Sequence, residues 1–177
     1  MNRASSSLVS TRKLAYAGLF IAMGMVLKMF EISVTQNFRI GFTTVPTIFS
    51  GIVLGPFYGF AIGFLSDFIQ FVLKPDGGAF HLGFTLTSAM YGVIPGLIAM
   101  WLKKRNIEMN YFHFLLIMFF CEVMCSMILN TVFLVQLYGY ATIAMIPQRI
   151  LKAVIMIFLD STILYFLYKN TKNKIKI

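Results

Sequence analysis

VPTIFSGIVLGPFYGFAIGFLSDFIQFVL, residues 45–73, is apolar almost throughout and is interrupted once, at Gly55-Pro56. The topology turns on whether this stretch is one helix or two. As one helix it gives five spans and puts Lys103-Lys104-Arg105 on the side opposite the N-terminus. As two it gives six spans and gathers three basic clusters on one side: Arg3, Arg12 and Lys13; Lys103, Lys104 and Arg105; Lys169, Lys172, Lys174 and Lys176. Basic residues flanking apolar spans mark the cytoplasmic side, and Pro56 supplies a break, so six spans are expected, with both termini in the cytoplasm.

The composition requires lipid as the surrounding solvent. Of 177 residues, 59% are hydrophobic and 12% charged, with a mean hydropathy of +0.82. Soluble domains carry about 25% charged residues, and each span takes about 20 apolar residues. The expected fold is therefore an all-α membrane protein, one domain over residues 1–177, with spans near 14–30, 45–54, 57–73, 84–102, 111–137 and 147–168. The net charge of +9 lies at helix ends rather than in a stripe with interleaved aromatics, which argues against nucleic acid as a partner. Cys121 and Cys125 share one apolar run and read as small hydrophobes. The first apolar run is as long as a span and no small-residue cleavage site follows it, so no cleavable signal is expected.

The segment 45–54 is about 15 Å long at 1.5 Å per residue, half a bilayer. The preceding polar stretch, Ser33 to Thr44, has to complete that crossing. Irregular backbone at membrane depth is tolerated only where it is buried in protein or lines a cavity, and a short, broken element points to a binding site. Pro95-Gly96 is expected to kink the fourth span.

Polar residues inside apolar spans are costly and so are candidates for function. Asp67 and Gln70 share a helix face at i, i+3, as do Arg149 and Lys152; Gln148 adjoins the latter pair, and Arg39 lies in the irregular stretch. These residues fall at similar depth on the outer side. Either Asp67 and Arg149 lock two helices as an ion pair, or the excess of cations receives an anionic ligand, since unpaired buried charge is expensive. Phe80, His81, Phe84 and Tyr138 fall near the same mouth. The aromatic rings among them either stack on a planar ligand or belong to the interfacial belt. Glu122 and Asp160 are expected nearer the midplane and inner side, as proton-relay residues or in helix-packing hydrogen bonds. On span one, Ala15, Gly18 and Ala22 form a small-residue face that admits a second helix, of this chain or of another subunit. No G-x-x-x-x-G-K-[ST], H-E-x-x-H or G-x-S-x-G is present, and His81 and His113 fall on opposite sides. No enzyme activity, metal or cofactor is expected.

Certain runs resemble a known family. They are Thr11-Arg12-Lys13, Arg39-Ile40-Gly41-Phe42, Gly51 through Pro56, Gly63-Phe64-Leu65-Ser66-Asp67, Lys74-Pro75-Asp76-Gly77-Gly78, Phe80 through Ala89, and Gly92 through Leu97. The sequence is similar to the substrate-binding S component of energy-coupling factor (ECF) vitamin transporters, and within them to the folate branch. The resemblance implies a six-helix bundle with an outward-facing cavity that captures a vitamin. It also implies docking through span one onto a transmembrane scaffold subunit with two ATPase subunits. Family members often carry an Ala-x-x-x-Ala pair there, where this chain has Gly18 and Ala22. Folate has a flat pterin suited to aromatic stacking and to Asp or Gln hydrogen bonds, and two tail carboxylates suited to Arg39, Arg149 or Lys152. The rival readings are an S component for another B-vitamin-like substrate, and a self-contained small membrane carrier or enzyme.

Overall fold

The computed structural model describes residues 11–35, 38–73, 80–139 and 146–171. Among them six helices run up and down. The first is α1 (Thr11–Met29), followed by the short α2 (Thr44–Leu54), then α3 (Pro56–Leu73) and α4 (Leu82–Lys104). The long α5 is built from three continuous segments, Tyr111–Cys121, Glu122–Leu129 and Asn130–Tyr138, and α6 spans Ile146–Thr171. Four helices, α3 to α6, are long and apolar enough to cross a membrane. Helix α1 carries Arg12 and Lys13 at one end and Lys28 at the other.

The break at Gly55-Pro56 has two parts. Gly55 adopts φ 99°, ψ 170°, a region that side-chain-bearing residues almost never enter. Its N–H still bonds Gly51 O at 3.0 Å, closing α2. Pro56 then opens α3, where a missing N–H costs nothing. Helix α2 is 11 residues long, about 16 Å.

The stretch expected to be irregular is instead a two-stranded antiparallel ribbon, β1 (Ile32–Thr35) with β2 (Phe38–Ile40). Ile32 pairs with Ile40 and Ser33 with Arg39, and the register shifts before Thr35 pairs with Phe38. Pairing lets this backbone satisfy its own N–H and C=O groups next to an apolar phase.

Glycines explain how α2, α3 and α4 come together. A Cβ at Gly92 would land on the carbonyl of Gly59, and one at Gly51 or Gly59 on the carbonyl of Gly92. A Cβ at Gly63 would meet Ser88 O, and one at Gly96 would sit 2.7 Å from Pro56 Cα. These helices therefore meet backbone to backbone, as small residues permit in a membrane. Pro95 is buried inside α4, and α4 stays one helix through it. The other wall is side-chain packing. Phe114, Ile117, Met118, Cys121, Cys125 and Leu164 are fully buried between α5, α6 and their neighbours. Both cysteines are free.

The up-and-down order fixes the two ends. Lys103, Tyr168 and Ile52 line one open cavity of about 370 Å³, and Lys13 sits 5.8 Å over the Tyr58 ring. The described members of the basic clusters therefore share one end of the bundle. The C-terminal ends of α1, α3 and α5 and the N-terminal ends of α2, α4 and α6 share the other.

Candidate functional site

At that second end the helices enclose a cavity of about 300 Å³, within the size range of small-molecule sites. Its wall follows helical periodicity. From α3 come Gly63, Ser66, Asp67 and Gln70; from α4 come Phe84, Thr87, Ser88 and Tyr91. Each set is spaced i, i+3, i+4, i+7, one helix face. From α5 come Glu122, Ser126 and Asn130, from α6 Lys152 and Met156, and from the start of α2 Thr43, Thr44 and Thr47. Lys28 and Glu31 at the end of α1 and Gly41 after the ribbon complete it.

The α5 wall depends on a local change of winding. Residues Glu122–Leu129 form a π-helical stretch, whose i→i+5 turns are rare and recur at functional sites. The wider turn keeps Glu122, Ser126 and Asn130 facing one space. Glu122, expected nearer the midplane and inner side, stands on the cavity wall and accepts a hydrogen bond from Tyr91 OH of α4 at 3.2 Å, a helix-packing hydrogen bond of the kind weighed from sequence. The reason is depth: from Phe84 to Tyr91 the cavity descends about 10 Å along α4, far enough to reach mid-bundle.

The polar groups are partly paired and partly open. Ser88 Oγ donates to Asp67 Oδ1 at 2.9 Å, tying α4 to α3. Lys28 Nζ lies 2.7 Å from Glu31 Oε2. Ser66 is 4% exposed, and its hydroxyl, on the cavity wall, has no hydrogen-bond partner among the described residues. A buried hydroxyl without a partner is costly, so Ser66 is placed to bond whatever fills the cavity. Asp160 is fully buried in α6.

The residues singled out from sequence divide. Asp67, Gln70, Phe84 and Lys152 line the cavity. Phe80 packs its ring 5.8 Å from Phe68 and 5.1 Å from Phe71, off the wall. His81 caps α4, its Nδ1 accepting from Gly83 N at 3.1 Å, with its ring 5.4 Å from Phe133. Gln148 is exposed at the start of α6. Arg149 turns to α5 and donates to Thr131 Oγ1 at 3.0 Å, so it makes no pair with Asp67. Arg39 pairs through its backbone in the ribbon; its side chain, and that of Tyr138, lie outside the described residues. The charged side chains on the described wall are Lys28 and Lys152 against Glu31, Asp67 and Glu122, so the cation excess inferred from sequence is not found there. Lys28, Glu31, Ser66, Ser88 and Tyr91 were not singled out as binding candidates. Polar side chains at i, i+3, i+4 spacing within an apolar span were the available signal for the last three. Among the described residues no three His, Cys, Asp or Glu side chains are grouped to hold a metal.

On α1, Ala15, Gly18 and Ala22 are exposed, flanked by exposed Leu14, Leu19 and Val26. A Cβ at Gly18 would meet nothing within 4 Å. No described helix of this chain covers that face.

A bundle of apolar helices that collects its polar side chains around one ligand-sized cavity is a small-molecule-binding membrane protein. The family described as ECF transporter, substrate-specific component, matches residues 12–175, and the chain belongs to that family. It is a multi-pass membrane protein of a transport system. It is 29% identical over 154 residues to the folate transporter FolT of Clostridium novyi (strain NT), covering 87% of this chain and 86% of that protein. It is 29% identical over 105 residues to the protein MG313 of Mycoplasma genitalium, covering 59% of this chain and 36% of the other. In structure it resembles FolT crystallised with folic acid, at a TM-score of 0.74 and 27% identity over 89% of this chain and 94% of FolT.

Proposed function

We propose that this chain is the folate-binding subunit of an ECF-type, ATP-driven importer in a bacterial plasma membrane. The observation that carries the reading is near-full-length likeness, in sequence and in structure, to a protein crystallised with folic acid. The chemistry of the cavity suits that ligand. The pterin head presents an edge of N–H donors, matched by carboxylates such as Asp67, and a flat face that Phe84 can stack. Ser66, Ser88 and Gln70 add hydrogen-bonding capacity next to it. The tail carboxylates suit Lys28 and Lys152. Arg39, Phe80, His81, Tyr138, Gln148 and Arg149 stay candidates for the rim.

In this reading both termini face the cytoplasm and the cavity opens outward, because the basic clusters mark the inner side. A cysteine introduced at Asn106 is then expected to resist impermeant thiol reagents in intact cells and to react after lysis. Labelling before lysis contradicts this orientation. ATP hydrolysis belongs to two partner subunits, coupled through a transmembrane scaffold on which the small-residue face of α1 docks. Ala22→Trp should block assembly with the scaffold and leave ligand binding within about twofold of the parent, because an indole cannot fit where two backbones approach closely. Loss of binding with assembly intact would assign that face to another role.

The subunit reading separates from a self-contained carrier in vesicles. The purified chain alone is expected to bind folate and not to accumulate it. Accumulation without other subunits would establish the carrier.

A further inference from the structure

On the reading that the ligand is a folate, we infer that Glu31 is a built-in stand-in for the ligand's tail carboxylate, holding Lys28 until an anionic ligand takes its place. Lys28 and Glu31 are only 15% and 12% exposed, and their charged atoms lie 2.7 Å apart on the cavity wall. The partners are three residues apart at the end of α1, and Glu31 N–H bonds Lys28 O at 3.3 Å. Such a pair closes with little loss of chain freedom. The seat of Glu31 is itself shaped: a Cβ at Gly41 would come within 2.8 Å of Glu31 Cγ, so only glycine there leaves room for it. Lys152 lines the same cavity from α6, as does Glu122 from α5. Lys28 thus holds Glu31 directly, while Lys152 faces the same cavity from α6.

A ligand carboxylate exchanges with Glu31 one for one, and Lys28 stays paired throughout. Glu31 leaves its seat against Gly41, at the foot of the ribbon. A ligand without a carboxylate cannot make this exchange and has to bind with the internal pair intact. Selectivity for anionic ligands then comes from competition at Lys28 rather than from an excess of positive charge, in keeping with a wall that carries as many acids as it does.

Titration calorimetry on the purified full-length chain tests this with two probes, folate and a folate whose two tail carboxylates are amidated. Glu31→Gln is expected to tighten folate about tenfold by removing the competing carboxylate, and to leave the amidated compound unchanged. Lys28→Met is expected to weaken folate, and in that background Glu31→Gln should no longer tighten it. Glu31→Ala serves if the glutamine variant does not fold. Unchanged folate affinity in Glu31→Gln overturns the inference. So does tightening that persists equally in Lys28→Met, because it reports loss of a negative charge and no competition. No folate binding by the unaltered chain refutes the folate reading itself, whereas binding with either of those two results refutes only the role of Glu31.

Discussion

Gly92→Val is expected to abolish the folded protein. Gly92 and Gly59 of α3 meet reciprocally, and Gly92 O in turn packs where a Cβ at Gly51 of α2 would lie, so a valine at position 92 collides with the α3 backbone. Backbones cannot move aside as a flexible side chain can. Relief requires α4 to separate from α2 and α3, which undoes the interface that fixes one side of the cavity. Overpacking a well-filled core typically costs about 1–3 kcal/mol. Collision with helix backbone, closest at Gly59 O and also at Gly59 C and Cα, should exceed that and consume most of a stability of about 5–15 kcal/mol. Size-exclusion profiles and melting in detergent check it. A monodisperse Gly92→Val protein with the parent's melting temperature would contradict the packing described. Gly18→Val is the control: Gly18 faces open space, so fold and melting should hold.

Lys152→Ala is expected to weaken folate binding by about 2 kcal/mol or more, as when one partner of a desolvated charged contact is removed. Lys152 stands on the cavity wall and, among the described residues, is the cation that α6 contributes there. Lys152→Arg should retain more of the affinity. Arg149→Ala should cost less affinity than Lys152→Ala, because its guanidinium is engaged with Thr131 and it is not among the residues lining the cavity. Lys152 also lies within range of Glu122, so its removal can lower stability too. Calorimetry beside a thermal melt separates the two effects. Equal losses at positions 149 and 152, or a larger loss at 149, would move the ligand's carboxylates toward the rim.

The contrast between these two residues marks where sequence reading ran out. Residues i and i+3 share a face, but α6 borders both the cavity and α5. A threonine on α5, 18 positions away in sequence, draws Arg149 aside, and only the three-dimensional packing reveals it. The break at Gly55-Pro56 was legible because glycine and proline act through their own backbone chemistry. The gathering of basic clusters at one end was legible because the membrane imposes it on the sequence. The π-helical stretch of α5 left no mark in hydropathy, and with it went the place of Glu122 on the wall. Lys28 and Glu31 passed for ordinary helix-end charges. Nothing local distinguishes a lysine that snorkels to the interface from one that turns into a cavity. Asp67, Gln70, Phe84 and Lys152 were found because polar or bulky groups at helical spacing within an apolar span have few inexpensive places to go.

The most direct test of folate as the ligand is a competition titration on the purified chain in detergent, with folate, riboflavin and thiamine offered at equal concentration. Folate is expected to bind at one per chain and to be displaced by neither of the others. Stoichiometric binding of riboflavin or thiamine that folate fails to displace would contradict the account.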